Sequence, residues 1–130
     1  MLSVRLFLIA QILTLAGFGL AYFVRPQEKT ANLSGMLLMA PAALTDVRAY
    51  YGGLQLGLAA WLGLALLRGD LLRPALMLLV LLYSALFLAR LGGLWLDGGA
   101  QQTFNLYAML FEGVSAALAF WLLRGRSAAA

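Results

Sequence analysis

The sequence predicts an all-α integral membrane protein: a four-helix bundle with a short interfacial or re-entrant segment between helices 1 and 2. Three observations predict it. Hydrophobic residues fill 64% of 130 positions and charged residues 11%, more apolar surface than one small soluble core could hide. Four apolar stretches each approach the ~20 residues that a bilayer crossing needs. The breaks between them carry Pro, Gly, Asp and Arg, residues that end helices or mark interfaces. At ~1.5 Å rise per residue four spans use most of the chain, so residues 1–130 read as a single transmembrane domain with no room for a soluble catalytic one.

The spans are expected at about residues 3–24, 49–67, 74–96 and 105–123. Leu2 to Val24 is apolar except for Arg5, Ser3, Gln11 and Thr14, and it stops at Arg25-Pro26, where proline cannot continue a helix. A signal peptide is the alternative, but the run is too long and no A-x-A-like site follows. Ala49 to Leu67 follows Thr45-Asp46-Val47-Arg48, with Thr45 or Asp46 as N-cap. Pro74 to Leu96 tolerates its proline in the first turn and breaks at Asp97-Gly98-Gly99. Asn105 to Leu123 ends at Arg124-Gly125-Arg126, and the tail Ser127 to Ala130 has no evident role. Between the first two spans, Pro26 to Val47 is long for a helix connection. Its middle, Leu33 to Leu44, is apolar, too short to cross and interrupted by Pro41. It reads either as a re-entrant piece over the bundle mouth or as a short helix resting in headgroups.

Charge orients the spans and excludes several functions. The net charge is +4, yet the basic residues sit at helix ends and form no stripe with interleaved aromatics, so nucleic acid is not an expected partner. Arg5, Arg68, Arg73, Arg124 and Arg126 fall on one side, against Arg25, Lys29 and Arg48 on the other. The positive-inside rule then puts both termini in the cytoplasm. With no Cys and no His, the usual ligands of zinc, haem iron and iron-sulfur clusters are missing, and no metal or cofactor is expected.

Arg90 and Glu112 interrupt apolar runs, where an unpaired charge is expensive and usually functional. Span three climbs outward and span four descends, placing Arg90 roughly 9 Å and Glu112 roughly 10 Å from their outer ends. The two are expected to be level neighbours, each offsetting the other's desolvation. Arg48, Tyr51 and Gln55 share a face of span two, Asn105, Met109, Glu112 and Ser115 share one on span four, and Tyr83 lies two turns from Arg90. Asp46 and Asp97 stand at the rim. The cluster has two readings: an ionic staple that fixes helix packing, or a polar pocket in which arginine offers its fork to an anionic head.

Small residues point to close helix approach. Gly52, Gly53 and Gly57 bare one side of span two, and Gly53-x-x-x-Gly57 matches the small-x-x-x-small pattern. Packing inside the bundle is the plainer reading, and a dimer face the sharper one; Gly113 with Ala117 is a candidate matching surface. Trp61, Trp95 and Trp121 read as belt and packing residues.

The stretch Asp46-Val47-Arg48-Ala49-Tyr50-Tyr51-Gly52-Gly53, then Ala89-Arg90-Leu91, Asp97-Gly98 and Glu112, resembles the bacterial membrane family catalogued as domain of unknown function 4345. The resemblance implies a four-span bacterial inner-membrane protein. It carries Arg48, Tyr51, Gly52, Gly53, Arg90, Asp97, Gly98 and Glu112 across as matching positions, none of them in the first span. The family brings no assigned activity.

Three functions follow from these residues. A binding or carrier module would take a membrane lipid or similar amphiphile, its anionic head at Arg48 and Arg90. A structural subunit would use the cluster only to lock its helices and would dock as a homo-oligomer or in a larger membrane complex. An enzyme would use Glu112 as general acid or base with Tyr51 or an arginine stabilising charge, but one carboxylate without His, Cys or metal is a thin kit, so no catalytic residue is assigned. A channel is disfavoured, since no ring of like polar residues threads the membrane depth.

Overall fold

A computed structural model describes the backbone of residues 2–129 and the side chains of residues 2–125. Arg126, counted above toward orientation, and the tail from Ser127 therefore lie outside the described side chains. All regular structure among the described residues is helical. The elements are α1 (Leu2–Val24), α2 (Pro26–Ser34), α3 (Pro41–Leu67), α4 (Leu72–Asp97) and α5 (Thr103–Ala129). Four of these stretches are long and apolar enough to cross a membrane, α4 together with the single 3-10 turn Gly69–Leu71 before it. No more than 28% of the span window in any of the four is buried. Leu13, Leu81 and Leu110 are each at least 65% exposed. Water would penalise that much bare apolar surface, whereas lipid is as apolar as leucine and does not. The protein is a small membrane protein.

Two compact helical units divide the chain, Met1–Gly69 and Asp70–Ala130. In the first, α1 buries Val4, Leu8, Gln11, Leu15, Gly19 and Tyr22. That spacing of three and four residues makes one continuous stripe down the helix. It packs on α3, whose buried positions include Gly52, Ala59, Leu62 and Ala65. At one end of the seam the Arg5 guanidinium donates from Nη1 to the Leu66 carbonyl at 2.8 Å. This satisfies one of the last carbonyls of α3 and sets a cation at the negative end of its dipole.

The connection between the first two spans departs from expectation in its parts. A short helix does stand there, but it is the polar α2, Pro26–Ser34, and not the apolar stretch Leu33 to Leu44. Pro26 opens it at a position where a missing N–H is harmless. Gly35 closes it at φ +71, with its N–H on the Ala31 carbonyl and the Met36 N–H on that of Thr30, a left-handed cap suited to glycine. Residues 35–40 are irregular. Pro41 then begins α3 rather than interrupting a segment, again as a first-turn proline. The second span therefore starts eight residues before the expected Ala49, and Thr45 and Asp46 lie inside the helix instead of capping it. Pro26 follows the end of α1 at Val24, as expected, and also opens α2, whereas Pro41, expected as a break, is a start.

Arg48–Gly53 forms a π-helical turn within α3, the kind of local widening that often marks a functional or close-packed place. In the second unit, α4 buries Leu72, Ala75, Leu76, Leu79 and Tyr83, and α5 buries Met109, Glu112, Ser115, Ala119 and Leu122. Gly113 brings α5 close to α4, since a Cβ there would lie 3.3 Å from the Phe87 ring. The five residues 98–102 join the two helices. Backbone helix continues through the Arg124-Gly125-Arg126 stretch expected to end it.

Candidate functional site

Seam geometry explains how Arg90 and Glu112 meet. Glu112 occupies a core position of α5, three residues from Met109 and three from Ser115, so its side chain is directed at α4. Arg90 lies seven residues beyond the buried Tyr83, two turns along the same stripe of α4. Arg90 donates from Nε to Glu112 Oε1 at 2.8 Å and from Nη1 to Asn105 Oδ1 at 2.6 Å. Asn105 Nδ2 donates to Gln102 Oε1 at 2.6 Å, and Gln102 Nε2 to the Gly98 carbonyl at 3.1 Å. A chain of donors and acceptors thus runs from the ion pair to the turn that joins the helices. The Arg90 guanidinium also lies 5.7 Å from the Phe104 ring centroid, within cation-π range.

The two partners differ in what they leave open. The Glu112 side chain is 5% exposed and that of Arg90 28%. Glu112 Oε2 is buried and accepts no hydrogen bond. Nε and Nη1 are the donating atoms of Arg90, and Nη2 donates to none of the described residues. The ion-paired residues therefore leave one unmet acceptor on Glu112 and one unspent pair of donors on Arg90. Tyr83 and Phe111 wall it with an edge-to-face pair at 5.6 Å.

Arg48, Tyr51 and Gln55 are placed in the first unit, each with partners there. Arg48 donates from Nη1 to the Phe23 carbonyl at 2.5 Å and lies 6.0 Å from the Phe23 ring centroid. Tyr51 packs edge-on against Tyr22 at 5.3 Å. Gln55 Nε2 returns to the Tyr51 carbonyl at 2.6 Å. Asp97 is exposed and pairs with no cation among the described residues; Asp46 is likewise exposed.

Glycine contacts sort the small residues. A Cβ on Gly52 would lie 2.9 Å from Phe23 Cβ and 3.1 Å from the Gly19 carbonyl oxygen, and one on Gly19 would lie 3.0 Å from the Gly52 carbonyl oxygen. These two glycines make the α1–α3 approach. Gly53 has only the Arg48 carbonyl within 4 Å, at 3.7 Å, and Gly57 has nothing. Gly19 was missed in the sequence, where it is one small residue among many in an apolar run. Gln102 was missed too, being read as part of a break, although its spacing of three from Asn105 is a helical-neighbour signal.

Searches of curated proteins and of solved structures return no match. A family match covers residues 3–123, which takes in the first span as well as the positions quoted above. On that match, spanning nearly the whole chain and both polar groupings, the protein belongs to the family described as Domain of unknown function (DUF4345).

Proposed function

We propose that this is a binding or carrier module that seats the head of a lipid-like amphiphile against Arg90 and Glu112. The observation that carries the reading is the unpartnered, buried Glu112 Oε2, on a carboxylate whose partner Arg90 keeps its Nη2 donors unspent. A buried carboxylate oxygen without a donor costs free energy of order 1–3 kcal/mol or more, so a molecule that supplies the donor gains that much on binding. A fitting head presents an anionic oxygen to Nη2 and a hydroxyl to Oε2. The site rests on the second helical pair alone. The test is the content of amphiphile copurified with the full chain in mild detergent, read by mass spectrometry. The variant Arg90→Met/Glu112→Leu should keep its helix content and lose the bound species; retention of the same species in the same amount would sink the proposal.

A structural reading has its own support in the hydrogen-bond chain from Arg90 through Asn105 and Gln102 to the Gly98 carbonyl, which ties the pair to its turn. On that reading the protein is a subunit docking with copies of itself or in a larger membrane complex, and the double variant leaves the copurified material unchanged.

The proposed setting is a bacterial inner membrane with both termini cytoplasmic, supported by the bias of Lys and Arg among span ends. The chain has no Cys, so single cysteines report topology without background. Cysteine at Asn32 or Gly99 should react with an impermeant maleimide in intact cells, and cysteine at Gly69 should not. The reverse pattern would invert the orientation.

A further inference from the structure

A second feature belongs to the Met1–Gly69 unit. The polar helix α2 folds back beside α1 and encloses with it a groove of about 380 Å³. Its floor is one face of α1, where Leu13, Gly17, Phe18 and Ala21 recur at helical spacing. Gly17 has nothing within 4 Å of where a Cβ would stand, so the floor is open at its middle. Lys29 and Asn32, one turn apart on α2, supply the polar wall.

Charge decides the occupant. The neighbouring Glu28 is engaged by Arg25 Nη1 at 3.4 Å, and no carboxylate among the described residues pairs with Lys29. Lys29 is half-buried where it lines the groove, so its charge stands at an apolar trough without a counter-ion among the described residues. From Leu13 to Ala21 the floor runs for about 12 Å at helical rise, close to the ~15 Å hydrocarbon depth of one leaflet. An apolar trough of single-leaflet length with a cation and an amide at its wall has the shape and polarity of a phospholipid with a net negative head.

We infer that the α1–α2 groove binds one anionic phospholipid, its acyl chain along Leu13 to Ala21 and its phosphate on Lys29 and Asn32. The inference uses residues of the first unit alone and does not depend on the reading of Arg90 and Glu112. The full chain is titrated in zwitterionic detergent with phosphatidylglycerol or with phosphatidylcholine, and bound lipid is counted by native mass spectrometry. Wild type should bind phosphatidylglycerol in preference to phosphatidylcholine. Lys29→Gln should weaken phosphatidylglycerol binding roughly fivefold, the effect of one cation near a charged head. Gly17→Leu, which fills the trough with a good helix former, should weaken both lipids. Arg90→Met/Glu112→Leu should leave this binding unchanged, which separates the inference from the proposal above. Glycerol phosphate at the same concentration should not displace the lipid. Equal binding by wild type and Lys29→Gln, equal affinity for the two lipids, no effect of Gly17→Leu, or displacement by glycerol phosphate would each overturn it.

Discussion

Replacing Arg90 with alanine should destabilise the Asp70–Ala130 unit by about 3–5 kcal/mol, the loss typical of breaking a buried pair by removing one partner. Glu112→Ala should cost less. The asymmetry comes from exposure: Glu112 is 4% exposed on the core seam of α5 and cannot reach solvent or headgroups, whereas Arg90 is part-exposed and has a long stem that can carry its charge outward. Arg90→Ala also frees Asn105 Oδ1. Arg90→Met/Glu112→Leu should recover most of the loss, because a well-packed apolar pair of similar volume avoids the desolvation altogether. Denaturation in mixed detergent micelles, followed by circular dichroism, reads all three. Equal losses from the two single changes would show that exposure does not set the cost, and a double variant no more stable than Arg90→Ala would show that the pair is not the determinant.

Gly52→Leu should separate α1 from α3. Even a methyl group there would lie 2.9 Å from Phe23 Cβ and 3.0 Å from Phe23 Cα, and backbone on both sides leaves nothing flexible to move. Overpacking in a well-packed seam costs typically ~1–3 kcal/mol, and a leucine belongs at or above the top of that range. The Arg48 bond to the Phe23 carbonyl and the Tyr22–Tyr51 ring contact lie within a turn of the same place, so they should be lost with it. Gly57→Leu, with nothing within 4 Å, is the matched control and should be nearly silent. The thermal unfolding temperature of the full chain in mild detergent, followed by circular dichroism, should fall for Gly52→Leu and stay at the wild-type value for Gly57→Leu. Equal unfolding temperatures for Gly52→Leu and wild type would refute the packing role.

Much of this was legible in the chain because lipid imposes a coarse demand: about 20 apolar residues per crossing and polar breaks between. The pairing of Arg90 with Glu112 was legible for a related reason, as two charges in apolar helices joined by a short turn have few other partners. What escaped was local. Prolines 26 and 41 could stop one helix or start the next, and composition does not say which. Asn105 stands on the expected face and does bond Arg90, but Gln102 joins the chain only because the turn at residues 98–102 brings it within reach of Asn105. Gly52 and Gly53 are chemically identical neighbours in the sequence; the rotation of α3 about its π-helical turn decides which of them meets α1.

The short turn between α4 and α5 also bears on how the protein enters its membrane. Offered singly to a translocation channel, α4 would carry an uncompensated arginine and α5 an uncompensated carboxylate, each costing up to ~2.5–3.5 kcal/mol at a helix centre. Delivered as a hairpin, the two charges cancel at 2.8 Å before either helix stands alone in lipid. The salt bridge that shapes the site would thus favour insertion of the last two helices together over insertion of either alone.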